Sequence, residues 1–209
     1  MQIKKLVWLN PVVIASYDSL ELEKALDEKG FIPVQCSGDQ IRVVKEKYRA
    51  AIAMANKPIA DRRCPLALQY ITDNYDHDFA VPDIHPVLIH CALELHERFC
   101  PRNNTLYITT PCKSLAELGN NLGFENTVFV TWNNFLIENG ITLTRKSLGV
   151  SPIPPGFFSD LNVKVIKLTS KREIDAFFSS ELKANCDMYE LLYCEQGCHN
   201  GDGILEDYE

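Results

Sequence analysis

Apolar and polar positions follow two different periods along this chain, and the elements that they predict alternate. Short apolar or β-branched runs bounded by turn residues predict strands at residues 3–9, 31–36, 105–109, 127–132, 163–168 and 188–193. Apolar residues at helical spacing predict helices at residues 19–29, 40–55, 66–74, 85–99, 113–118, 133–138 and 173–184. Strands that alternate with helices predict an α/β fold with mostly parallel sheets and crossover helices.

A stretch rich in glycine and proline divides this pattern. It covers residues 148–162 and follows a larger lobe at residues 1–147, which contains Cys64 and Cys112. A C-terminal lobe at residues 163–209 contains Cys194 and Cys198. We therefore expect a single domain, residues 1–209, made of two lobes around a shared site.

Charge and hydrophobicity exclude two classes of partner. Lysine and arginine number 21 against 28 aspartate and glutamate residues, a net charge of −7, which argues against a nucleic-acid-binding surface. No segment approaches the run of about 20 apolar residues that spans a membrane. The N-terminal apolar run ends at Asn10-Pro11, too early for a secretory signal. The protein is expected to be cytoplasmic.

The eight cysteines change the picture most, because spaced cysteines in a reducing compartment more often bind metal or do redox chemistry than form disulfides. Residues 191–203 run from an apolar strand into a Cys-x3-Cys pair, Cys194 and Cys198, and then into Gly201 and Gly203. Such a glycine-rich turn permits positive φ and close backbone approach to a bulky group. A metal or an iron–sulfur cluster needs a turn of this kind, whereas buried free thiols do not.

Two further cysteines lie in comparable loops. Cys112 follows a predicted strand, and Cys64 precedes Pro65 at the start of a predicted helix. Ligands of open α/β sheets bind beyond the carboxyl ends of the strands, so Cys64, Cys112, Cys194 and Cys198 are predicted to converge on one cluster. The remaining cysteines are interpreted as small buried apolar side chains, at positions Cys36, Cys91, Cys100 and Cys186.

These loops resemble the catalytic domain of the [FeFe]-hydrogenase family across residues 56–205. The resemblance rests on Cys64-Pro65 opening a helix, Pro111-Cys112 after a strand, and Cys-x3-Cys before a glycine-rich turn at 194–203. The first 55 residues correspond to a shortened opening of that domain. The resemblance implies a [4Fe-4S] cluster held by Cys64, Cys112, Cys194 and Cys198, with Cys198 able to bridge to a two-iron subsite.

Two positions depart from the family pattern. Arg63 stands where the family has a proton-relaying cysteine, and Leu115 stands where it has a lysine that holds a cyanide ligand. An arginine cannot give up its proton at working pH. Beside an anionic cluster, Arg63 is expected to compensate charge and raise the potential. The resemblance thus implies retained cluster ligands with altered contacts to the two-iron subsite.

Three functions follow as hypotheses. The first is a [4Fe-4S] redox protein in electron transfer, redox sensing or a larger complex. Because the family's ferredoxin-like domains are absent from this chain, its electrons would come from a partner protein. The second is a minimal [FeFe]-hydrogenase that reversibly reduces protons to H2, with Glu195 or His199 as proton-transfer residues. The third is a structural partner subunit whose cysteines hold no metal.

Overall fold

The computed structural model describes residues 3–180 and 185–205. Within these ranges the chain forms seven strands and eight α-helices, in the order β1 (Lys5–Trp8), α1 (Pro11–Ser16), α2 (Ser19–Glu28), β2 (Phe31–Pro33), α3 (Gln40–Met54), β3 (Ile59–Ala60), α4 (Pro65–Asn74), α5 (Val87–Phe99), β4 (Thr105–Thr110), α6 (Lys113–Asn120), β5 (Thr127–Thr131), α7 (Trp132–Asn139), β6 (Val165–Leu168), α8 (Lys171–Phe178) and β7 (Met188–Leu191). The predicted α/β class with parallel sheets is confirmed.

The chain divides into two units, each built from separate stretches of sequence. The first unit combines Met1–Gly38, Leu88–Ile153 and Cys198–Glu209, and the second combines Asp39–Val87 and Pro154–Gly197. This division differs from the predicted lobes at 1–147 and 163–209. The physical reason is strand pairing, since β3 pairs with β7 and thereby joins early and late segments in one sheet.

The first unit is a four-stranded parallel sheet in the order β2-β1-β4-β5. Side chains of successive residues in each strand point to opposite faces of the sheet, because side-chain direction in a strand alternates with a period of two residues. Leu6 faces a core with Leu106 and Phe129. Val7 faces a second core that includes Trp132 and Ile204. Both faces of the sheet are therefore covered, which is usual for parallel sheets.

The second unit is a three-stranded parallel sheet in the order β3-β7-β6. Ile59 and Met188 face a core with Tyr48 and Phe158, whereas Leu191 faces the opposite core, which includes Ile174. Every residue of β7 is buried, as expected of the central strand. Its carboxyl end leads directly into the loop that carries Cys194.

Most predicted elements match within a few residues, with three differences. Helix α1 and strand β3 were not predicted. The helix predicted at 173–184 begins at Lys171 and ends at Phe178, and its predicted last four residues lie outside the described residues. No described helix is long and apolar enough to cross a membrane.

Candidate functional site

In the second unit, Cys64 lies at the start of a helix, as the sequence predicts, whereas the strand before it, β3, was not predicted. It is the N-cap residue of α4, followed by Pro65 at the first helical position, and its side chain makes no capping hydrogen bond. Burial raises the pKa of the Cys64 thiol, whereas the backbone amides of Ala67 and Tyr193 act in the opposite direction. The thiol therefore faces amides from the start of α4 and from the residue before Cys194.

The Cys194 turn is tight and left-handed. After β7, the amide of Gly197 donates to the carbonyl of Cys194 at 3.1 Å. Gln196 and Gly197 both have positive φ, 63° and 116°. Tyr193, the residue before Cys194, is also held in place, because its carbonyl accepts from the amide of Lys171 at 3.1 Å. Of the glycines in this stretch, Gly197 has the positive φ that such a turn permits, whereas Gly201 and Gly203 do not; Gln196, which was not predicted, has it as well.

Arg63 forms the centre of a buried ionic network in the second unit. Its Nη2 lies 2.7 Å from Asp61 and 3.3 Å from Glu190. Its guanidinium also stacks over the ring of Phe157, with 3.9 Å between the guanidinium carbon and the ring centroid. Both carboxylates are fully buried, so the arginine charge is matched within the unit by two acids.

The two acids have different surroundings. Asp61 accepts from the Arg63 amide at 2.9 Å and from the Tyr48 hydroxyl at 3.3 Å. Burial raises its pKa, although the Arg63 charge opposes the rise. Glu190 Oε1 accepts from the amides of Gly156 and Phe157 at 2.8 and 3.0 Å. Its buried Oε2 has no partner among the described residues.

In the first unit, Cys112 lies at the carboxyl end of β4 and is the N-cap residue of α6. Its side chain makes no capping hydrogen bond. That role falls to Asp202, whose carboxylate accepts from the Lys113 amide at 3.0 Å. An acceptor from the last loop therefore satisfies the start of α6.

The Cys198 loop lies flat against the Cys112 loop. The Gly203 amide donates to the carbonyl of Pro111 at 3.1 Å. A Cβ at Gly203 would lie 2.9 Å from the Pro111 carbonyl carbon and 3.0 Å from the Cys112 nitrogen. A Cβ at Gly201 would overlap the Pro111 oxygen. The predicted close approach at these glycines is therefore to the backbone of Pro111 and Cys112.

The two predicted proton-transfer residues differ in exposure. Glu195 is exposed, whereas His199 is buried in the turn that begins at Cys198. Burial lowers the pKa of His199, and the charge of Arg145 lowers it further, so both effects favour the neutral ring. Its Nδ1 has no partner among the described atoms.

Leu115 belongs to the core rather than to a site. It lies on α6, is 7% exposed and packs in the core that contains Ile108 and Phe129. An apolar side chain in a packed core contributes neither charge nor hydrogen bonds to a ligand.

The structure thus places the loops of the predicted ligands next to each other in pairs, although the side chains of Cys112 and Cys198 pack against different cores of the first unit. Cys64 and Cys194 come from neighbouring loops of the second unit, and Cys112 and Cys198 from neighbouring loops of the first. None of the four forms a disulfide. Among residues 3–180 and 185–205, no three or more histidine, cysteine, aspartate or glutamate side chains are grouped to hold a metal ion.

No pattern in the sequence indicates the network around Arg63, because Glu190 reaches Asp61 and Arg63 only through the pairing of β3 with β7. No protein-family model, curated protein or solved structure matches this chain.

Proposed function

We propose that this chain binds a [4Fe-4S] cluster through Cys64, Cys112, Cys194 and Cys198 and acts as a redox protein. Its role would be electron transfer with a partner protein, redox sensing, or that of a subunit in a larger redox complex. The observation that carries the proposal is the pairing of cysteine loops: each unit has one cysteine at a helix N-cap and a second on the glycine turn beside it.

The chemistry of these positions suits an anionic thiolate cluster. Four thiolates are the usual ligands of a cubane, and backbone amides at helix N-termini favour negative charge. Amides of Ala67 and Tyr193 already act on Cys64. Among the described side chains, no three of these thiols form a group that could hold a metal ion.

Iron and sulfide analysis after anaerobic reconstitution tests the proposal. We expect about four irons and four sulfides per chain, with the absorption and EPR spectra of a cubane. Serine at any of the four ligand positions lowers the iron content and destabilises the loaded protein. Cys186→Ser is the matched control, because Cys186 is a buried thiol of the second unit whose side chain interacts with Tyr189. Equal iron in control and ligand variants, or none in either, would overturn the proposal.

A metal-free structural subunit is the competing function. Under this hypothesis Cys194→Ser leaves colour, folding and thermal stability unchanged after reconstitution. A colourless wild-type protein with the same melting temperature as the variant would support it.

The minimal hydrogenase requires a two-iron subsite as well. Infrared bands of bound CO and cyanide after maturation would identify that subsite, and a spectrum without them would exclude it. The buried ion pairs of Arg63 and the core position of Leu115 weigh against this function.

A further inference from the structure

Two cysteines outside the candidate ligand set lie side by side in the first unit. Cys36 is in the irregular segment after β2, and Cys91 is on α5, 55 positions further along the chain. The Cys36 thiol donates to the carbonyl of Cys91 with an Sγ–O distance of 3.8 Å, and the two thiols also interact with each other. Both are free thiols.

The segment that carries Cys36 is anchored to α5. The carboxylate of Glu94 accepts from the amides of Ser37 and Gly38 at 2.6 and 3.1 Å. Arg98 donates to the carbonyl of Gln35 at 3.0 Å. These contacts hold Cys36 against Cys91, although residues 34–39 form neither helix nor strand and can adjust over short distances.

The two sulfurs differ in reactivity. The hydrogen bond from the Cys91 thiol holds the pKa of Cys36 below its usual range, and the same bond, together with burial, raises the pKa of Cys91. Cys36 is partly exposed, whereas Cys91 is buried. Because the thiolate is the nucleophile and needs access, Cys36 has the properties of an attacking thiol and Cys91 those of a resolving thiol.

We propose that Cys36 and Cys91 form a dithiol–disulfide couple that exchanges with low-molecular-weight disulfides. The Cys36 thiolate attacks one sulfur of the small disulfide, and one small thiolate leaves as a mixed disulfide forms at Cys36. The Cys91 thiol then loses its proton and attacks the Cys36 sulfur, which releases the second small thiol. The protein dithiol is oxidised by two electrons, and the small disulfide is reduced to two thiols.

The position of this couple gives the reaction a structural consequence. Cys36 precedes Gly38, where the first stretch of the first unit ends, and Cys91 follows Leu88, where the chain returns to that unit. The disulfide would therefore join both ends of the segment 39–87, which belongs to the second unit. This function is independent of the four candidate cluster ligands.

Oxidised glutathione is the probe that tests the couple. The full chain is equilibrated in buffers of increasing oxidised-to-reduced glutathione ratio, and alkylated peptides are analysed by mass spectrometry. We expect a Cys36–Cys91 linkage with one two-electron transition. Cys91→Ser should instead retain a glutathione adduct at Cys36, about 305 Da heavier, because the resolving thiol is missing. Cys36→Ser should leave Cys91 unmodified, since it is buried.

The control is Cys100→Ser, which removes a buried thiol of the same unit that bonds the carbonyl of Asn126. It should form the linkage as the wild type does. Absence of the Cys36–Cys91 linkage in the folded wild type, or its formation only in denaturant, would overturn the proposal. This outcome is measured on the wild type, so it holds even where a variant fails to fold. The same assay with Cys64→Ser, which removes a candidate ligand, should give the wild-type result and separates this couple from cluster binding.

Discussion

Glu190 shows how much a single buried carboxylate determines in the second unit. One oxygen accepts from two backbone amides of the loop after Pro155 and lies 3.3 Å from Arg63, while the other has no partner among the described residues. Glu190 therefore links β7, the Arg63 turn and the 156–157 loop.

Substitution of Glu190 tests this link. Glu190→Ala leaves the Gly156 and Phe157 amides without their acceptor and should lower the free energy of unfolding by about 3 kcal/mol. Glu190→Gln retains an acceptor oxygen and should cost about 1 kcal/mol. Urea denaturation of both variants at neutral pH measures the difference. Equal losses in the two variants would show that the amide contacts contribute little.

At the scale of elements, one carboxylate of α8 joins this helix to α4. Asp175 accepts from the hydroxyl groups of Tyr70 and Tyr75 at 2.6 and 2.7 Å and from Lys171 at 2.8 Å. The bond from Lys171 makes the largest contribution to lowering the pKa of Asp175 to about 2, and the two tyrosines add to it. The attachment of α8 thus depends on the ionised form of this side chain.

The sign of the pH effect follows from that pKa. Because the pKa of Asp175 is lower in the folded chain than the value of about 3.9 in an unfolded one, its stabilising effect is complete above pH 4 and is lost as the pH falls towards 2. Asp175→Asn should lower the melting temperature at pH 7, and the difference from wild type should narrow between pH 4 and 2. Asp73→Asn, on α4 and bonded to Gln69, is the control. A difference in melting temperature between Asp175→Asn and wild type that stays constant with pH would show that the ionised Asp175 carboxylate does not stabilise the fold.

At the scale of the whole molecule, the second unit depends on a strand pair that is distant in sequence. Ile59 and Ala60 pair with Met188 and Tyr189, so residues 39–87 lose their central strand when residues after 153 are removed. A chain that ends at residue 153 should be cleaved rapidly by protease within 39–87, whereas the intact protein resists. Protection of that segment in the shortened chain would show that it folds without β7.

The difference between local and distant signals explains what the sequence predicts. Helix α3 and strand β4 have strong periodic patterns and match within a residue or two. Helix α1 has six residues, and its signal is the Asn10 cap, whose side chain accepts from the amides of Val12 and Val13. Strand β3 has two residues and is defined by its partner β7. The turns that carry Cys64 and Cys112 were predictable locally; the network around Arg63 was not, because it depends on pairing across the chain.

The glycines at 201 and 203 have a consequence for the order of events on the ribosome. They bring the Asp202 carboxylate to the start of α6 and precede Ile204, which fills one core of the first unit. All strands of that unit are synthesised before this loop emerges from the exit tunnel. The Asp202 acceptor for α6 and the core position of Ile204 can therefore be filled only after residue 204 has left the exit tunnel.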